Sequence, residues 1–160
     1  MILVVVGSSQ FPFDRLLRSV GQLGGEEELV VQYGSSGVSP PGARCIPFLP
    51  FDELGALVRE ARVLVTHAGI GSILLALTHG KRPYVVPRRR VFGETVDDHQ
   101  LESARRFAEA GLVTLVEEPE RLADAIATGN GKAVPLVRDG ATLAEDLRSY
   151  LAAVVGPPPR

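Results

Sequence analysis

Short apolar runs alternate along this chain with longer segments in which hydrophobic residues recur every three or four positions. Six runs have the length and the Gly, Pro or polar borders of buried strands, at 2–6, 29–33, 44–48, 63–66, 83–86 and 112–115. Helical patterns cover 13–21, 51–61, 71–78, 97–110, 119–127 and 141–154. The alternation predicts an α/β fold, a Rossmann-like doubly wound parallel sheet of about six strands with helices on both faces.

The helix predicted over 97–110 carries clear signals at both ends. Asp97 or Asp98 can cap its start, and Gly111 can end it. One face of this helix carries apolar residues at spacings of three and four, namely Leu101, Ala104, Phe107 and Ala108. We therefore predict a surface helix with a single buried stripe.

Composition and charge narrow the class of protein. The chain has 160 residues, of which 45% are hydrophobic and 22% charged, a balance that fits one globular domain, here assigned to 1–154. The tail 155–160 holds three prolines and is predicted to be disordered. A net charge of -2 gives no basic footprint for nucleic acid, and the single Cys45 excludes an internal disulfide or a multi-cysteine zinc site. Since strand 2–6 follows Met1 without a basic leader, a cytoplasmic protein is expected.

The segment that follows the apolar run 63–66 has the composition of an anion-binding site. It reads His67, Ala68, Gly69, Ile70, Gly71 and Ser72. A strand that turns through small residues into a helix aims backbone N–H groups and the positive end of the helix dipole at one point. A neutral His67 could donate to a phosphate or carbonyl, and a charged one could offset the negative charge of a leaving group. The alternative is that the glycines only allow close packing and His67 is a satisfied polar residue.

A second candidate loop, Gly7, Ser8 and Ser9, follows the first strand. It is expected at the same edge of the sheet, so a phosphate could be held between the two loops, although a plain tight turn is the alternative. A dinucleotide fingerprint needs three glycines here and an acid after the second strand. This loop has one glycine, and Tyr33 and Gly34 follow the second strand. NAD is therefore disfavoured.

The third candidate segment is the long connection after the strand at 83–86. Asp98, His99 and Gln100 stand at its end, where a helix starts, and offer the mixed donors and acceptors that sugar hydroxyls require. Arg88 begins a run of three arginines that could contact a diphosphate, an acidic sugar or a partner. The alternatives are a helix cap with polar surface residues and a solvated basic surface.

Together these segments resemble the C-terminal, nucleotide-sugar-binding half of family 28 glycosyltransferases. The similarity runs from Met1 to about Ala153, and its motifs lie at 5–9, 13–16, 61–74, 80–83 and 98–101. Within the family, the loop at 87–94 and the residues 97–100 look closer to the small bacterial exopolysaccharide subunits of the PssE type. The eukaryotic subunit that adds the second GlcNAc to the dolichol-linked precursor is similar but more distant.

The resemblance implies the C-terminal donor-binding half of a GT-B glycosyltransferase. Implied with it are a UDP-sugar donor carrying glucuronate, galactose or GlcNAc, an inverting transfer, and a lipid-linked acceptor. These small subunits work with a separate membrane-associated chain that binds the acceptor and would hold this chain at the inner face of the membrane. Because the fold stabilises the departing diphosphate with N–H groups and a helix dipole, no metal or other cofactor is expected.

Carried over by position, Gly7, Ser8, Ser9 and the segment 67–72 would surround the diphosphate, with His67 as the catalytic residue. His99 and Gln100 would contact the sugar. Asp98 and Arg88 are further candidate contacts to the donor. Leu75 stands where single-chain relatives have a ribose-binding carboxylate, for which Glu94 or Glu102 are possible replacements.

The catalytic base is expected on the partner, and an apolar face is expected near the loops after the first and third strands, through which the isolated chain could self-associate. Two other functions stay open from the sequence. One is a non-catalytic nucleotide-binding module, and the other is an independent enzyme that cleaves or epimerises a nucleotide sugar.

Overall fold

The computed structural model describes residues 1–23, 25, 27–129, 137–138 and 141–142. Its main feature is a parallel sheet of six strands. The strands are β1 Ile2–Val5, β2 Leu29–Gln32, β3 Arg44–Ile46, β4 Val63–His67, β5 Tyr84–Val86 and β6 Thr114–Leu115. They lie in the order β3-β2-β1-β4-β5-β6, and every neighbouring pair is parallel. The predicted Rossmann-like α/β fold is thereby confirmed.

Helices connect the strands of the sheet except β2 and β3, and a fifth helix follows β6. The helices are α1 Asp14–Val20, α2 Phe51–Glu60, α3 Ile70–Thr78, α4 His99–Glu109 and α5 Leu122–Thr128. Short 3-10 turns at Arg90–Phe92 and Pro119–Arg121 precede α4 and α5. Each of these five helices lies where the hydrophobic periodicity predicted one, with ends that differ by at most three residues.

The prediction of a helix over 141–154 was wrong at its first two residues. Ala141–Thr142 forms strand β8, which pairs antiparallel with β7, Val137–Arg138. Val137 is the register partner of Thr142, and β-branched residues favour strands over helices. The rest of that predicted helix, the domain end at 154 and the tail 155–160 lie outside the described residues.

The two faces of the sheet bury alternate residues of β1. Val4, together with Ile2 and Val6, packs against α1 and α5, whereas Leu3 and Val5 pack against α2 and α3. All five are at most 4% exposed. This explains why the run at 2–6 is apolar throughout rather than alternating, since a central parallel strand is covered on both sides.

Helix α4 confirms the predicted stripe. Leu101, Ala104 and Phe107 are buried, and the backbone N–H of Gly111, at φ 72°, closes the helix by donating to Ala108. The helix begins at His99. Asp98 is its N-cap residue but makes no side-chain cap, whereas Asp97 Oδ1 accepts from the backbone N–H of His99 at 3.1 Å.

The strand order reverses between β1 and β4, and this reversal indicates where a ligand would bind. In open α/β sheets, ligands bind beyond the carboxyl ends of the strands at such a reversal. Val5 is the register partner of Thr66, and just beyond this pair Gly7 lies against the ring of His67. Two of the three predicted loops are therefore brought together.

Candidate functional site

His67, the last residue of β4, lies with its imidazole against two glycines. A Cβ added to Gly7 would come within 2.6 Å of Cε1 of the ring, and one added to Gly69 would overlap Nε2. Gly7 also has a φ of 81°, which side-chain-bearing residues rarely adopt. The lack of a side chain at Gly69 therefore makes room for the histidine ring.

The protonation state of His67 follows from its surroundings. Burial, and then the nearby positive charge of Arg88, lower the pKa of the imidazole to about 4, while the backbone carbonyl of Val5 acts in the opposite direction. The ring is therefore neutral at pH 7 in the unliganded chain. Of the two roles that the sequence left open, the structure favours a neutral hydrogen-bonding group.

Helix α3 begins directly beside this ring and has an open N-terminus. Gly69 is its N-cap residue in an extended conformation, and no side-chain hydrogen bond caps the helix. The first turn, Ile70, Gly71 and Ser72, is exposed or half-buried. Its N–H groups and the helix dipole can therefore face an anion at this edge. Ala68 differs from its neighbours, because its side chain is 2% exposed and packs in the cluster between α3 and α4.

The loop after β1 is held by Gln32, a residue that the sequence interpretation missed. The Gln32 side chain accepts from the backbone N–H of Gly7 at 2.9 Å and donates to Gly7 O at 3.0 Å and to Pro47 O at 2.9 Å. Gln32 is 4% exposed at the end of β2. A buried amide that ends an apolar strand was the available signal.

The two serines of this loop differ in their surroundings. Ser8 is exposed, whereas the hydroxyl of Ser9 accepts from the backbone N–H of Phe11 at 3.3 Å and so stabilises the turn. Ser9 O also accepts from the hydroxyl of Ser35 at 2.9 Å. Of the pair, Ser8 is the one free to meet a ligand.

A cleft of about 150 Å³ opens between this loop, the start of α3 and the loop after β3. Its walls combine polar groups near Gly7 with apolar side chains from the β3–α2 connection. The lining residues are Val5, Gly7, Ser8, Gln32, Phe48, Leu49, Leu54 and Ser72. A flat ring with polar edges would match this mixture of walls.

The predicted sugar-reading residues stand at the start of α4, beyond β5. Asp98 Oδ1 accepts from the backbone N–H of Arg90 at 3.0 Å, so this carboxylate is engaged within the chain. Gln100 Oε1 accepts from the backbone N–H of Arg88 at 3.3 Å, which leaves the amide NH₂ without an acceptor among the described residues. The side chain of His99 is exposed. His99 and Gln100 are thus the available members of this group.

Arg88 does not fit the predicted role of a ligand contact. It is 1% exposed, and its guanidinium donates to the backbone carbonyls of Val6, Phe11 and Glu94 at 2.8–3.1 Å. Burial lowers its pKa below the ordinary arginine value. The guanidinium can influence a ligand through its charge but is not exposed to touch one.

Glu94 is likewise not available as a replacement for the missing ribose carboxylate. It is 4% exposed, and its two oxygens accept from Nε and Nη2 of Arg15 at 2.8 and 2.9 Å. Glu102 is exposed on α4. Leu75, which occupies the carboxylate position itself, is 7% exposed and packs in the apolar cluster beneath α2 and α3. Only Glu102 keeps a free carboxylate among these three positions.

Within the described residues, no three His, Cys, Asp or Glu side chains are grouped so that they could hold a metal ion. None of the helices in that part of the chain is both long and apolar enough to cross a membrane.

Two curated proteins are similar to parts of the chain. The UDP-N-acetylglucosamine--N-acetylmuramyl-(pentapeptide) pyrophosphoryl-undecaprenol N-acetylglucosamine transferase of Ralstonia nicotianae is 29% identical over 106 residues, which are 64% of this chain and 27% of that enzyme. The UDP-N-acetylglucosamine transferase subunit ALG13 of Yarrowia lipolytica is 39% identical over 56 residues, 35% of this chain and 26% of that subunit. The matched segments thus span about a quarter of each relative.

Two solved glycosyltransferases share the fold of this chain over part of their length. The calicheamicin glycosyltransferase CalG4 superposes with a TM-score of 0.61 at 20% identity, over 98% of this chain and 44% of CalG4. SnogD from Streptomyces nogalater superposes with a TM-score of 0.53 at 22% identity, over 99% of this chain and 40% of SnogD. This chain therefore has the fold of one part of such enzymes.

The sequence model of the glycosyltransferase family 28 C-terminal domain matches residues 1–139, which include β1 to β6 and all three candidate segments. The chain belongs to glycosyltransferase family 28.

Proposed function

We propose that this chain is the donor-binding half of a split, inverting glycosyltransferase. It would move a hexosyl group, GlcNAc, galactose or glucuronate, from a UDP-sugar to a lipid-linked saccharide in polysaccharide biosynthesis. The observation that carries this proposal is the meeting of the Gly7 loop, neutral His67 and the open N-terminus of α3 where the strand order reverses.

The diphosphate would lie against the first turn of α3. Ser8 and Ser72 offer hydroxyls there, and His67 offers a ring nitrogen. Since His67 is neutral, the positive charge near this point comes from Arg88, whose proximity contributes to lowering the pKa of the histidine. A fixed positive charge and oriented N–H groups would stabilise the departing UDP without a metal ion.

The base and the sugar would lie to either side of the diphosphate. The cleft between Phe48, Leu54 and Ser8 would take the uracil, whose ring is apolar on its faces and polar at its edges. His99 and the free NH₂ of Gln100 would donate to sugar oxygens. Ribose recognition would fall to backbone groups or to Glu102, since Leu75 cannot accept a hydrogen bond.

The acceptor half of the site would belong to another chain. An inverting transfer needs a general base for the acceptor hydroxyl, and the carboxylates of Glu94 and Asp98 are already engaged. All large hydrophobic residues exposed in the described chain also lie at the carboxyl edge of the sheet. They are Phe48, Phe51, Ile70, Val91, Phe92 and Val96. A membrane-associated, acceptor-binding partner would cover such an apolar rim, and self-association is the other way to cover it.

Calorimetric titration with UDP tests the donor site, with NAD as the unrelated nucleotide. Wild-type chain should bind UDP and not NAD, and His67→Ala should weaken UDP binding about tenfold, since one hydrogen bond to a charged group is lost. His79→Ala is the matched control, because His79 is half-buried at the opposite end of α3 and should leave UDP binding unchanged. Absence of UDP binding, or equal effects of the two histidine variants, would contradict the proposed site.

Turnover separates the proposed transferase from its alternatives. The purified chain should release little UDP from UDP-GlcNAc, UDP-galactose or UDP-glucuronate, and transfer should appear once the cognate membrane subunit is added. Steady hydrolysis or epimerisation by the chain alone would indicate an independent enzyme. Tight UDP binding without transfer in the presence of that subunit would indicate a non-catalytic module.

A further inference from the structure

The connection after β5 runs from Pro87 to Asp98 and is held by internal contacts over most of its length. Pro87, Arg88 and Glu94 are buried, and a 3-10 turn at Arg90–Phe92 ends at Gly93 with φ 68°. Connections this long in α/β folds are commonly mobile. Here two charged residues of the connection, Arg88 and Glu94, are buried and make their hydrogen bonds within the chain.

Glu94 is the centre of these contacts. Its carboxylate accepts hydrogen bonds from both Nε and Nη2 of Arg15, and its Oε2 also accepts from the backbone N–H of Arg89 at 2.9 Å. Arg15, on α1, further donates to Pro87 O at 3.1 Å and lies over the ring of Phe92 at 4.7 Å. A two-pronged arginine–carboxylate pair of this kind fixes orientation as well as distance.

Arg88 ties the same connection to the loop after β1. Its Nη1 donates to Phe11 O at 2.8 Å and to Glu94 O at 3.1 Å, and its Nη2 donates to Val6 O at 3.0 Å. The guanidinium also lies 4.7 Å from the centre of the Phe13 ring. One side chain thus joins the end of β1, the loop beyond it and the connection after β5.

Stability alone is a weak reason for this arrangement. Removing two guanidinium groups and a carboxylate from water costs several kcal/mol per ion, and apolar side chains of similar volume often give an equally stable fold. What a network of charged hydrogen bonds adds is a single defined geometry. The backbone N–H groups of Arg88 and Arg90 donate to the side chains of Gln100 and Asp98, so the position of the connection also fixes the start of α4.

We propose that Arg15, Arg88 and Glu94 are positioning residues that form a latch. The latch holds the 87–98 connection and the start of α4 against the β1 loop, so that the side of the site that reads the sugar is already formed before the donor binds. This inference rests on the proposed function, in which His99 and Gln100 contact the sugar. Preformed geometry raises affinity because the ordering cost is not paid on binding.

The latch should therefore affect the sugar and not the nucleotide. UDP is expected to contact the β1 loop, α3 and the cleft. The Glu94 carboxylate bonds to Arg15 and to the Arg89 N–H and to none of these parts, and Gln32 holds Gly7 in the β1 loop. Only the additional affinity that the sugar contributes depends on the start of α4. A general loss of fold would instead weaken UDP and UDP-sugar alike.

The test combines two measurements on Glu94→Gln. Hydrogen–deuterium exchange of peptides covering 88–98 should rise about tenfold, because the loop opens more often. The dissociation constant for UDP should stay within about twofold, while that of the best-binding sugar nucleotide among UDP-GlcNAc, UDP-galactose and UDP-glucuronate should rise about five- to twentyfold. Arg15→Lys, which keeps the charge but loses the fork, should show the same pattern more weakly and serves if Glu94→Gln does not fold.

Glu27→Gln is the matched control. Glu27 pairs with Arg62 and with the Met1 ammonium group at the opposite edge of the sheet. The substitution therefore removes a charged pair of the same kind far from the site. It should change neither exchange at 88–98 nor the preference for a UDP-sugar over UDP.

Three results would overturn the latch. If hydrogen–deuterium exchange at 88–98 does not change in Glu94→Gln, the latch is disproved, whether or not any nucleotide binds. UDP and UDP-sugar weakening in parallel reduces these residues to general support of the fold. Wild-type chain that binds UDP and all three UDP-sugars equally shows that the start of α4 reads no sugar. If wild-type chain binds no nucleotide at all, the proposed function fails, and the exchange measurement still decides the latch itself.

Discussion

The imidazole of His67 occupies the space that a side chain on Gly69 would fill. The two residues are separated by Ala68, which is buried, and the backbone turns there from β4 into α3. The requirement for glycine at position 69 therefore comes from the histidine. The two glycines of this segment therefore differ. Gly69 is required by the packing of His67, whereas nothing lies within 4 Å of a Cβ built on Gly71.

Gly69→Ala should destabilise the chain by about 1–3 kcal/mol, because the new methyl group overlaps the His67 ring and forces it to move. Gly71→Ala should leave stability unchanged or raise it slightly, because the methyl group meets open space and alanine favours helix. Urea unfolding measures both. In a His67→Ala background the cost of Gly69→Ala should largely disappear, which a double-mutant cycle would detect as a coupling energy. Additive effects would show that the glycine is needed for another reason.

The lowered pKa of His67 predicts a pH window of stability. Because the folded-state pKa is about 4 and the ordinary value is 6.5, the unfolded chain binds more protons between these values. The free energy of unfolding should therefore be flat just above pH 6.5 and fall as the pH drops from 6.5 to 4. The total loss from this group should be at most about 3 kcal/mol, and less because the ring is partly exposed.

His67→Gln separates this effect from that of Glu27. The pKa of Glu27 is lowered from 4.5 to about 2, chiefly by its hydrogen bond with Arg62, so its contribution is lost only below pH 4.5. Denaturant titrations at pH 7, 6, 5 and 4 should show a slope for wild type between pH 6.5 and 4.5 that the variant lacks. Equal slopes for both proteins in that interval would mean that the ring is not buried in its neutral form.

Gln32 should be the residue on which the shape of the β1 loop depends. Gln32→Leu removes the acceptor of the Gly7 N–H and the donor to Gly7 O and Pro47 O, so we expect a loss of about 1–3 kcal/mol. UDP affinity should fall as well, because Gly7 is no longer held beside His67. Gln22→Leu, at an exposed position after α1, should change stability by no more than about 0.5 kcal/mol. Unchanged UDP binding in Gln32→Leu would separate this loop from the nucleotide site.

The six strands were predictable from the sequence because each apolar run indicates a strand by its own length and borders. Strand ends were not, since they depend on neighbours in space. The third run was predicted to reach residue 48, but β3 ends at Ile46 because Pro47 has no N–H to donate. The sixth was predicted from Leu112, whose N–H instead closes α4 by donating to Phe107 O, so β6 begins at Thr114.

The candidate site likewise has a part that the sequence could predict and a part that it could not. His67 and the open start of α3 are adjacent in sequence, and the rule that places ligands at the strand-order reversal brings Gly7 to them. The roles of Arg88 and Glu94 could not be predicted, because their partners are distant in sequence. Arg15 and Glu94 are 79 residues apart, and Arg88 and Val6 are 82 apart. An arginine run gives no indication of which member points inward.

Arg88 and Arg90 offer a comparison between a buried and an exposed arginine two positions apart. Arg88→Met should lower the free energy of unfolding by about 2–4 kcal/mol, because the carbonyls of Val6, Phe11 and Glu94 lose their donor in a buried place. Arg90→Met should change it by no more than about 0.5 kcal/mol, since the Arg90 side chain is exposed. Urea unfolding at pH 7 measures both variants, and UDP titration of each shows how far binding follows stability. A variant of Arg88 that keeps wild-type stability but loses UDP binding would contradict the structural role and show that the guanidinium charge acts on the ligand directly.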